Sequence, residues 1–308
     1  MFSGRNQDPR TDHLHQCVES YKLEAQHSAF KLFAIHSNRN QNPTKSQREI
    51  LGALQVIYFS PEDLDLVRGE PTQRRDFLDK LLITRTPRLA GVISDYDRVV
   101  RQRNTLLKTR APESSLAPWT EQLISLGAQL TAERIALVEK LNPYVTAHYA
   151  KLNEVKAASI AYKSSTDGLS GDTDSNITIL AEKQEEVADN ESARGVSLVG
   201  PHRDDLHLHL GDFPAKGYAS HGESWSMAIA LRIGSFTLLR DEGSSPILIL
   251  DDIFAELDTA RRAQLVAITH LAEQTFITAA VESDLPGDLL TQRFYVTHGK
   301  VSREAGGA

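Results

Sequence analysis

The chain has 308 residues, 40% apolar and 24% charged, with a formal net charge of −7 and a single cysteine, Cys17. This composition indicates a folded globular protein of one or two domains and excludes a disulfide-rich or disordered chain. The polar start lacks the apolar core of a signal peptide and no apolar run approaches ~18 residues, so we expect a cytoplasmic protein without a membrane partner.

The first part of the chain mixes polar loops with short apolar runs. Residues 21–35 alternate as two half-buried strands would, and residues 46–54 resemble a short helix. Residues 56–59 are an apolar strand. The following Ser60-Pro61-Glu62 is typical of a helix start, with a capping serine, a proline at the first helical position and an acid in the first turn.

Positive charge is concentrated in residues 74–110, which carry ten Lys/Arg against four Asp, a local net charge of +6 in an acidic chain. Charge on helices usually marks a solvated face. The alternative is a surface that neutralises a phosphate backbone and releases its counterions. On that alternative the candidate DNA contacts are Arg74, Arg75, Arg98, Arg101 and Arg103.

The middle of the chain predicts two long helices followed by a connector. Apolar residues at helical spacing favour antiparallel helices over residues 88–110 and 119–150, with a break before Trp119 and a kink near Pro143. Residues 163–194 hold eight acids and no aromatic residue. We expect an exposed, partly mobile connector there.

Histidines cluster in the segment after the connector. Residues 196–199 are expected to form a strand, and Gly200–Arg203 a turn whose donors can face phosphates. Strict alternation over 206–210 places His207 and His209 on the polar face of a second strand. Two histidines at this spacing can bind a metal, with His202 nearby, but no carboxylate or cysteine spacing completes the set.

Two carboxylates, Asp251 and Asp252, follow the apolar run 247–250. Ligands usually bind at the carboxyl ends of such strands. Adjacent residues point to opposite sides of a strand, so that one can hold Mg²⁺ while the other meets a water, the Walker B arrangement. For the dipeptide alone, the plainer interpretation that two acids merely end a strand stays open.

The segment Ser220–Glu223 precedes an apolar helix, whose start offers backbone N–H groups and the positive dipole end to an anion. After the acidic strand comes a second acidic turn, Glu256–Asp258. A loop and helix, an acidic strand and an acidic turn, in that order, resemble the signature loop, Walker B strand and D-loop of an ABC-type ATPase.

Five blocks in order resemble the RecF family of SMC/Rad50-like ABC ATPases. They are Phe59–Leu64, Gly69–Asp79, Val199–Leu206, Ala219–Trp225 and Leu250–Asp258. The resemblance implies an α/β fold, with an ABC-ATPase-like lobe that is incomplete at its N-terminus and an inserted all-helical second lobe.

The resemblance also divides the chain. Its implied parts are a remnant of the N-terminal part of the ATPase lobe (1–65), helical lobe II (66–162), the acidic connector (163–194) and the C-terminal half of the ATPase lobe (195–308).

The resemblance assigns roles to residues. Asp251 would hold Mg²⁺ and Asp252 would polarise the attacking water. Asp258 would lie at a dimer interface, and Thr278 stands where many ABC proteins have a switch histidine. The implied cofactor-binding set, whose signature residues reach ATP held by a partner copy, is Ser220, His221, Gly222, Glu223, Asp258 and Thr278.

The family implies a DNA replication, repair and recombination protein that dimerises on ATP. It would bind single-stranded DNA and gapped or single-strand/double-strand junctions in an ATP-dependent manner. It would support recombinase loading and the SOS response with RecO- and RecR-like partners.

The phosphate-cradling motif Gly-x-x-x-x-Gly-Lys-Ser/Thr does not occur in the 308 residues. We expect the family's Walker A segment to precede Tyr21, which makes this an N-terminally truncated member whose own ATPase activity is uncertain. Two alternatives stay open: a non-catalytic DNA- or partner-binding protein, and an unrelated α/β metal-dependent hydrolase that uses the acids and histidines.

Overall fold

The computed structural model describes residues 54–303 apart from 154, 288, 290 and 291, together with residue 52 and the dipeptides 38–39 and 42–43. The chain divides into two units, residues 1–43 and 44–308. In the first unit, β1 (Asn38–Arg39) pairs antiparallel with β2 (Asn42–Pro43). The strands predicted within 21–35 lie outside the described residues, as does most of the helix predicted over 46–54.

The second unit contains the following elements in chain order: β3 (Val56–Phe59), α1 (Leu64–Arg68), α2 (Pro71–Arg85), α3 (Leu89–Lys108), α4 (Glu113–Ala150), β4 (Ala158–Lys163), α5 (Thr173–Arg194), β5 (Asp205–Leu210), β6 (Phe213–Pro214), α6 (Ala215–Tyr218), α7 (His221–Asp241), β7 (Ile247–Asp251), α8 (Thr259–Thr269), β8 (Thr275–Thr278), β9 (Tyr295–Thr297) and β10 (Lys300–Ser302). Short 3₁₀ turns lie at Pro61–Asp63, Phe254–Glu256 and Glu282–Asp284.

A parallel sheet of order β3-β7-β8 positions the acidic segment. Phe59 lies opposite Leu250, and Asp251 lies opposite Thr278. Parallel register brings the carboxyl ends of all three strands to one edge, which we call the carboxyl edge. The predicted acidic strand and the strand predicted over 274–280 are both confirmed. The chain leaves this sheet after Phe59 and returns at Ile247.

The 38-residue helix α4 is the central element of the chain segment that joins β3 to β7. It packs against α3, α5, α7 and β4, and the predicted pairing of the two long helices is confirmed. The predicted break before residue 119 is wrong, because α4 begins at Glu113 and passes through Pro118. Leu116 and Leu123 on either side are buried, and that packing outweighs the backbone hydrogen bond that proline cannot make. No described helix combines the length and apolar character needed to cross a membrane.

The expected mobile connector is largely a helix, α5, and that prediction is corrected. The carboxylate of Asp172 caps it by accepting a hydrogen bond from the N–H of Ser175 at 3.0 Å, and Gly195 ends it in the left-handed conformation. Leu180 and Glu191 are fully buried. The high acid content suggested an exposed segment, but most of the acids line the solvated face of α5. The opposite face carries the buried residues.

A second, antiparallel sheet of order β4-β5-β6 lies within the segment that joins β3 to β7. Strand β4 occupies the end of the range expected to be all helical, so helices alone do not make up residues 66–162. Its alternation, with Ala158 and Ile160 buried, suits a strand paired along its whole length with β5. The strand predicted over 206–210 is confirmed within β5, whereas residues 196–199 form a loop.

Candidate functional site

Asp251 ends β7 at the carboxyl edge, and a neighbouring strand holds each of its carboxylate oxygens. Tyr58 on β3 donates its hydroxyl to Oδ2, and Thr278 on β8 donates its hydroxyl to Oδ1, both at 2.5 Å. These hydrogen bonds, the one from Thr278 first, lower the pKa of Asp251 and keep it ionised. The same bond to Asp251 is the main cause that raises the pKa of Tyr58. Sequence reasoning missed Tyr58, because only the parallel register brings it to Asp251.

Asp252 is exposed and lies in the left-handed backbone region, with φ 52°. Aspartate tolerates this region better than most residues. The N–H of Asp252 donates to the carbonyl of Thr278 at 3.2 Å, and its Oδ1 accepts from the N–H of Ala280 at 3.2 Å. The strand has ended at Asp251, so a turn, rather than the predicted strand alternation, sets the direction of the second carboxylate.

The predicted signature loop is a closed cap at the start of α7. Ser220 Oγ accepts from the N–H of Glu223 at 3.2 Å, and Glu223 Oε2 accepts from the N–H of Ser220 at 2.8 Å. Lys156 also pairs with Glu223 at 2.7 Å. Lys156 first, and then Ser220, lowers the pKa of Glu223. This cap fixes the first turn of α7 with its backbone donors facing outward from the helix.

Trp225 joins the N-terminal part of α7 to the end of β3. Trp225 is buried and donates its ring N–H to Nε2 of His221 at 3.2 Å. Its indole packs edge-on against the ring of Phe59, with the centroids 6.2 Å apart. Phe59 is the last residue of β3, so this contact packs the N-terminal part of α7 against the end of the strand that neighbours β7.

A single arginine joins the second acidic turn to the signature loop. Asp258 caps α8 by accepting from the N–H of Arg261 at 2.9 Å. The Arg261 guanidinium donates to the Asp258 carboxylate, to the carbonyl of Gly222 at 2.9 Å and to Ser226 Oγ at 2.9 Å. Arg261 was not predicted. The available signal was a basic residue three positions after the capping acid.

The predicted DNA-binding arginines fall into three environments. Arg74 is 5% exposed and makes a bidentate ion pair with Asp205, at 2.7 and 2.8 Å. Arg103 is 4% exposed and pairs with Glu191. Arg75 is half-buried and donates to a backbone carbonyl, whereas Arg98 and Arg101 are exposed. We correct the prediction for Arg74 and Arg103, because both guanidinium groups are enclosed by partners within the fold.

The segment 199–206 forms a largely buried junction in which Arg203 is exposed. The expected role as a phosphate-facing turn is therefore corrected for residues 200–202. His202 Nδ1 lies 2.7 Å from the hydroxyl of Tyr96, and Nε2 lies 3.1 Å from the carbonyl of Ser197. Asp204 is 1% exposed and accepts the hydroxyl of Tyr162 at 2.7 Å. These donors and acceptors are paired with one another inside the protein.

The predicted histidine pair lies on β5 without further ligands. The rings of His207 and His209 are 5.9 Å apart, and His202 belongs to the buried junction. Among the described residues, no group of three or more His, Cys, Asp or Glu side chains is placed to hold a metal ion. The histidine-based metal enzyme therefore has no support in this part of the chain.

Comparison with known proteins places the chain in a family. No protein-family profile matches it. The DNA replication and repair protein RecF of a Nocardioides species is 46% identical, across 87% of this chain and 78% of that protein. The protein of the same name from Streptomyces avermitilis is also 46% identical, across 86% of this chain and 74% of that protein. The chain belongs to the RecF family.

Solved RecF structures share its fold. The recombination mediator protein RecF-ATPrS of the RecFOR pathway is similar with a TM-score of 0.75 and 26% identity, covering 85% of this chain and 71% of that one. RecF-ATP of the same pathway is similar in fold, with a TM-score of 0.72, 24% identity and coverage of 86% and 72%. The predicted α/β, ABC-ATPase-like class is confirmed.

Proposed function

We propose that this chain is a RecF-type DNA replication, repair and recombination protein that binds single-stranded DNA and single-strand/double-strand junctions in an ATP-dependent manner. The names of its relatives support this proposal. The observation that carries it is the contact between Phe59 and Trp225, which packs the capped helix α7 against the strand next to the one that ends in Asp251. From the relationship to the RecF family we also propose RecO- and RecR-like partners in recombinase loading, and a part in the SOS response.

The donor set at the carboxyl edge fits Mg²⁺. Magnesium takes oxygen ligands and commonly uses only one or two carboxylates beside phosphate oxygens. Asp251 is ionised and held at both oxygens, so we propose it as the ligand. Bound there, the ion would neutralise charge on phosphate oxygens. Asp252, whose carboxylate is exposed beside it, would orient a water.

The first turn of α7 favours negative charge, whereas the carboxylates at the carboxyl edge favour a cation. We propose that the Ser220 hydroxyl, the backbone N–H groups of His221 and Gly222 and the helix dipole face the phosphates of ATP held by a second copy of the chain. Glu223 holds this turn in shape through the cap. Asp258, with its carboxylate 54% exposed, would lie at the interface of that ATP-dependent dimer. Thr278 acts through Asp251, whose carboxylate it orients.

DNA binding is assigned to α3. Arg98 and Arg101 are exposed on this helix, and we propose that they contact the phosphate backbone, with the half-buried Arg75 on α2 as a further candidate. We keep the four-part division at residues 65, 162 and 194 as a proposal, in which lobe II contains most of β4 beside the helices α1 to α4.

The experiment measures fluorescence anisotropy of labelled single-stranded, duplex and junction oligonucleotides, with and without ATP, over a range of salt. We expect ATP to tighten binding to the junction. The double variant Arg98→Glu/Arg101→Glu should weaken binding and lower the salt slope by about 1.5 to 2, the share of two phosphate contacts. Arg240→Glu, an exposed charge at the far end of α7, is the matched control. Absence of DNA binding at low salt would contradict the proposal.

A second candidate is DNA binding without autonomous hydrolysis. It is favoured by the absence of a Gly-x-x-x-x-Gly-Lys-Ser/Thr segment from the 308 residues. ATP turnover in the presence of junction DNA separates the two. Turnover that disappears in Asp252→Asn supports the ATPase. DNA binding with no turnover, unchanged in Asp252→Asn, supports the second candidate.

A further inference from the structure

We propose, on the basis of the proposed function, that Arg261 couples the first turn of α7 to the acidic turn before α8. An anion bound at the first turn would then change how tightly Arg261 holds Asp258. Arg261 would be a positioning residue, since it acts through Gly222 and Asp258.

The contacts of Arg261 make this link stiff. Its side chain is 17% exposed, and its three guanidinium nitrogens donate to three partners on two elements. Nη2 meets the carbonyl of Gly222 and Nε meets Ser226 Oγ, both on α7, while Nη1 meets Asp258. A guanidinium is planar, so displacing one of these partners displaces the donors to the others.

Arg261 lies close against Gly222. A Cβ built on Gly222 would lie 3.0 Å from Nη2 of Arg261, at the limit of what real Cβ atoms show. The backbone of Gly222 does not lie in the left-handed region, so conformation does not demand glycine there. A side chain at this position would instead displace the Arg261 guanidinium by a few tenths of an ångström.

Asp258 serves two partners with one carboxylate. Its Oδ1 accepts the N–H of Arg261 and caps α8, while its Oδ2 takes the guanidinium. An anion at the start of α7 competes with Asp258 for the positive charge of Arg261. Anion binding would therefore loosen Asp258 and make it available to a partner. By linkage, loss of the Asp258 charge would strengthen anion binding.

This argument predicts effects of opposite sign for two residues in contact. Arg261→Gln should weaken ATP binding, and Asp258→Asn should tighten it, each several-fold, as is typical of coupled sites. Asparagine still caps a helix, so the second variant removes the charge and keeps the cap. A merely structural contact would shift both affinities in the same direction.

The test uses the full chain with Trp119→Phe, which leaves Trp225, directly after the first turn of α7, as the single tryptophan. Hydrogen exchange of residues 220–226 and 256–262 is measured without ligand, and Trp225 fluorescence follows an ATP titration with Mg²⁺. Arg261→Gln should speed exchange in both segments, and Arg240→Gln should leave it unchanged. Arg261→Lys keeps the charge without the fork, and we expect faster exchange with nearly unchanged ATP affinity.

Exchange in Arg261→Gln that matches the control would overturn the coupling. So would a shift of ATP affinity in the same direction for Arg261→Gln and Asp258→Asn. Failure of the unsubstituted chain to bind ATP would overturn the proposed function alone. The exchange measurement needs no nucleotide and would then still confirm or overturn the link between the two turns.

Discussion

Arg103 on α3 and Glu191 on α5 form a buried ion pair, with Nη2 of Arg103 2.6 Å from Oε2 of Glu191 and the side chains 5% and 0% exposed. Glu191 also accepts hydrogen bonds from the N–H of Leu198 and the side-chain amide of Gln184. The pair therefore ties α3, α5 and the loop after α5 into one unit. Its partners identify Arg103 as a structural residue.

Arg103→Ala should lower the free energy of unfolding by about 3–5 kcal/mol, because it leaves a buried carboxylate without its cation. Urea denaturation followed by circular dichroism measures the change. The matched control is Arg101→Ala, two positions away on the exposed face of α3, with an expected change within about 0.5 kcal/mol. Equal stability of the two variants would contradict the structural role of Arg103.

Gly200→Ala should destabilise the buried junction. Gly200 has φ +118°, and a Cβ there would lie 2.4 Å from the hydroxyl of Tyr96. Gly211→Ala is the comparison without a clash, since Gly211 also has positive φ, at +58°, but has no atom within 4 Å of the added Cβ. We expect the lower melting temperature for Gly200→Ala. Tyr96→Phe should restore part of the loss, and its failure to do so would rule out the clash as the cause.

His148 should make stability fall with acid. Burial first, and the charge of Lys151 second, lowers the pKa of His148 from 6.5 to about 4. Between pH 6.5 and about 4 the unfolded chain binds a proton that the folded chain does not, so stability decreases as pH falls through this window. His148→Gln should flatten the pH dependence of the urea midpoint there. The exposed His270→Gln should not, and equal curves for both variants would refute the assignment.

Thr278→Val should raise the pKa of Asp251, because it removes the first of the two hydroxyls that favour the ionised form. Tyr58→Phe should raise it as well, and the double variant more than either. The ¹³C chemical shift of the Asp251 carboxyl, followed against pH, measures the change. An unmoved titration in the double variant would mean that the hydroxyls do not hold the carboxylate.

Local pattern predicted the elements that carry the acids. Residues 247–250 are an apolar run ended by Asp251 and Asp252, and β7 lies there because such a run buries well in a parallel sheet. Ser220 with Glu223 likewise forms the cap of α7 from a purely local motif. Both lie within the blocks that carry the family resemblance.

Local sequence pattern could not predict which distant residues contact these elements. Tyr58 meets Asp251 from 193 positions away, and Arg261 meets Gly222 from 39 positions away. Charge counting also could not tell Arg98, which is exposed, from Arg103, whose partner lies 88 positions on. Composition describes how much charge a segment holds, whereas tertiary contacts decide which charges face water.

The pairing of Val56 with Ile247 has a consequence for the order of folding. Pairing these strands closes a loop of about 190 residues, and the entropy cost of that closure comes before the sheet contributes any stabilisation. The helices between β3 and β7 make contacts that are closer in sequence. Those helices can pack as the chain leaves the ribosome. The sheet cannot close until β7 has been synthesised, so the edge that bears Asp251 is assembled after the helical framework around α4.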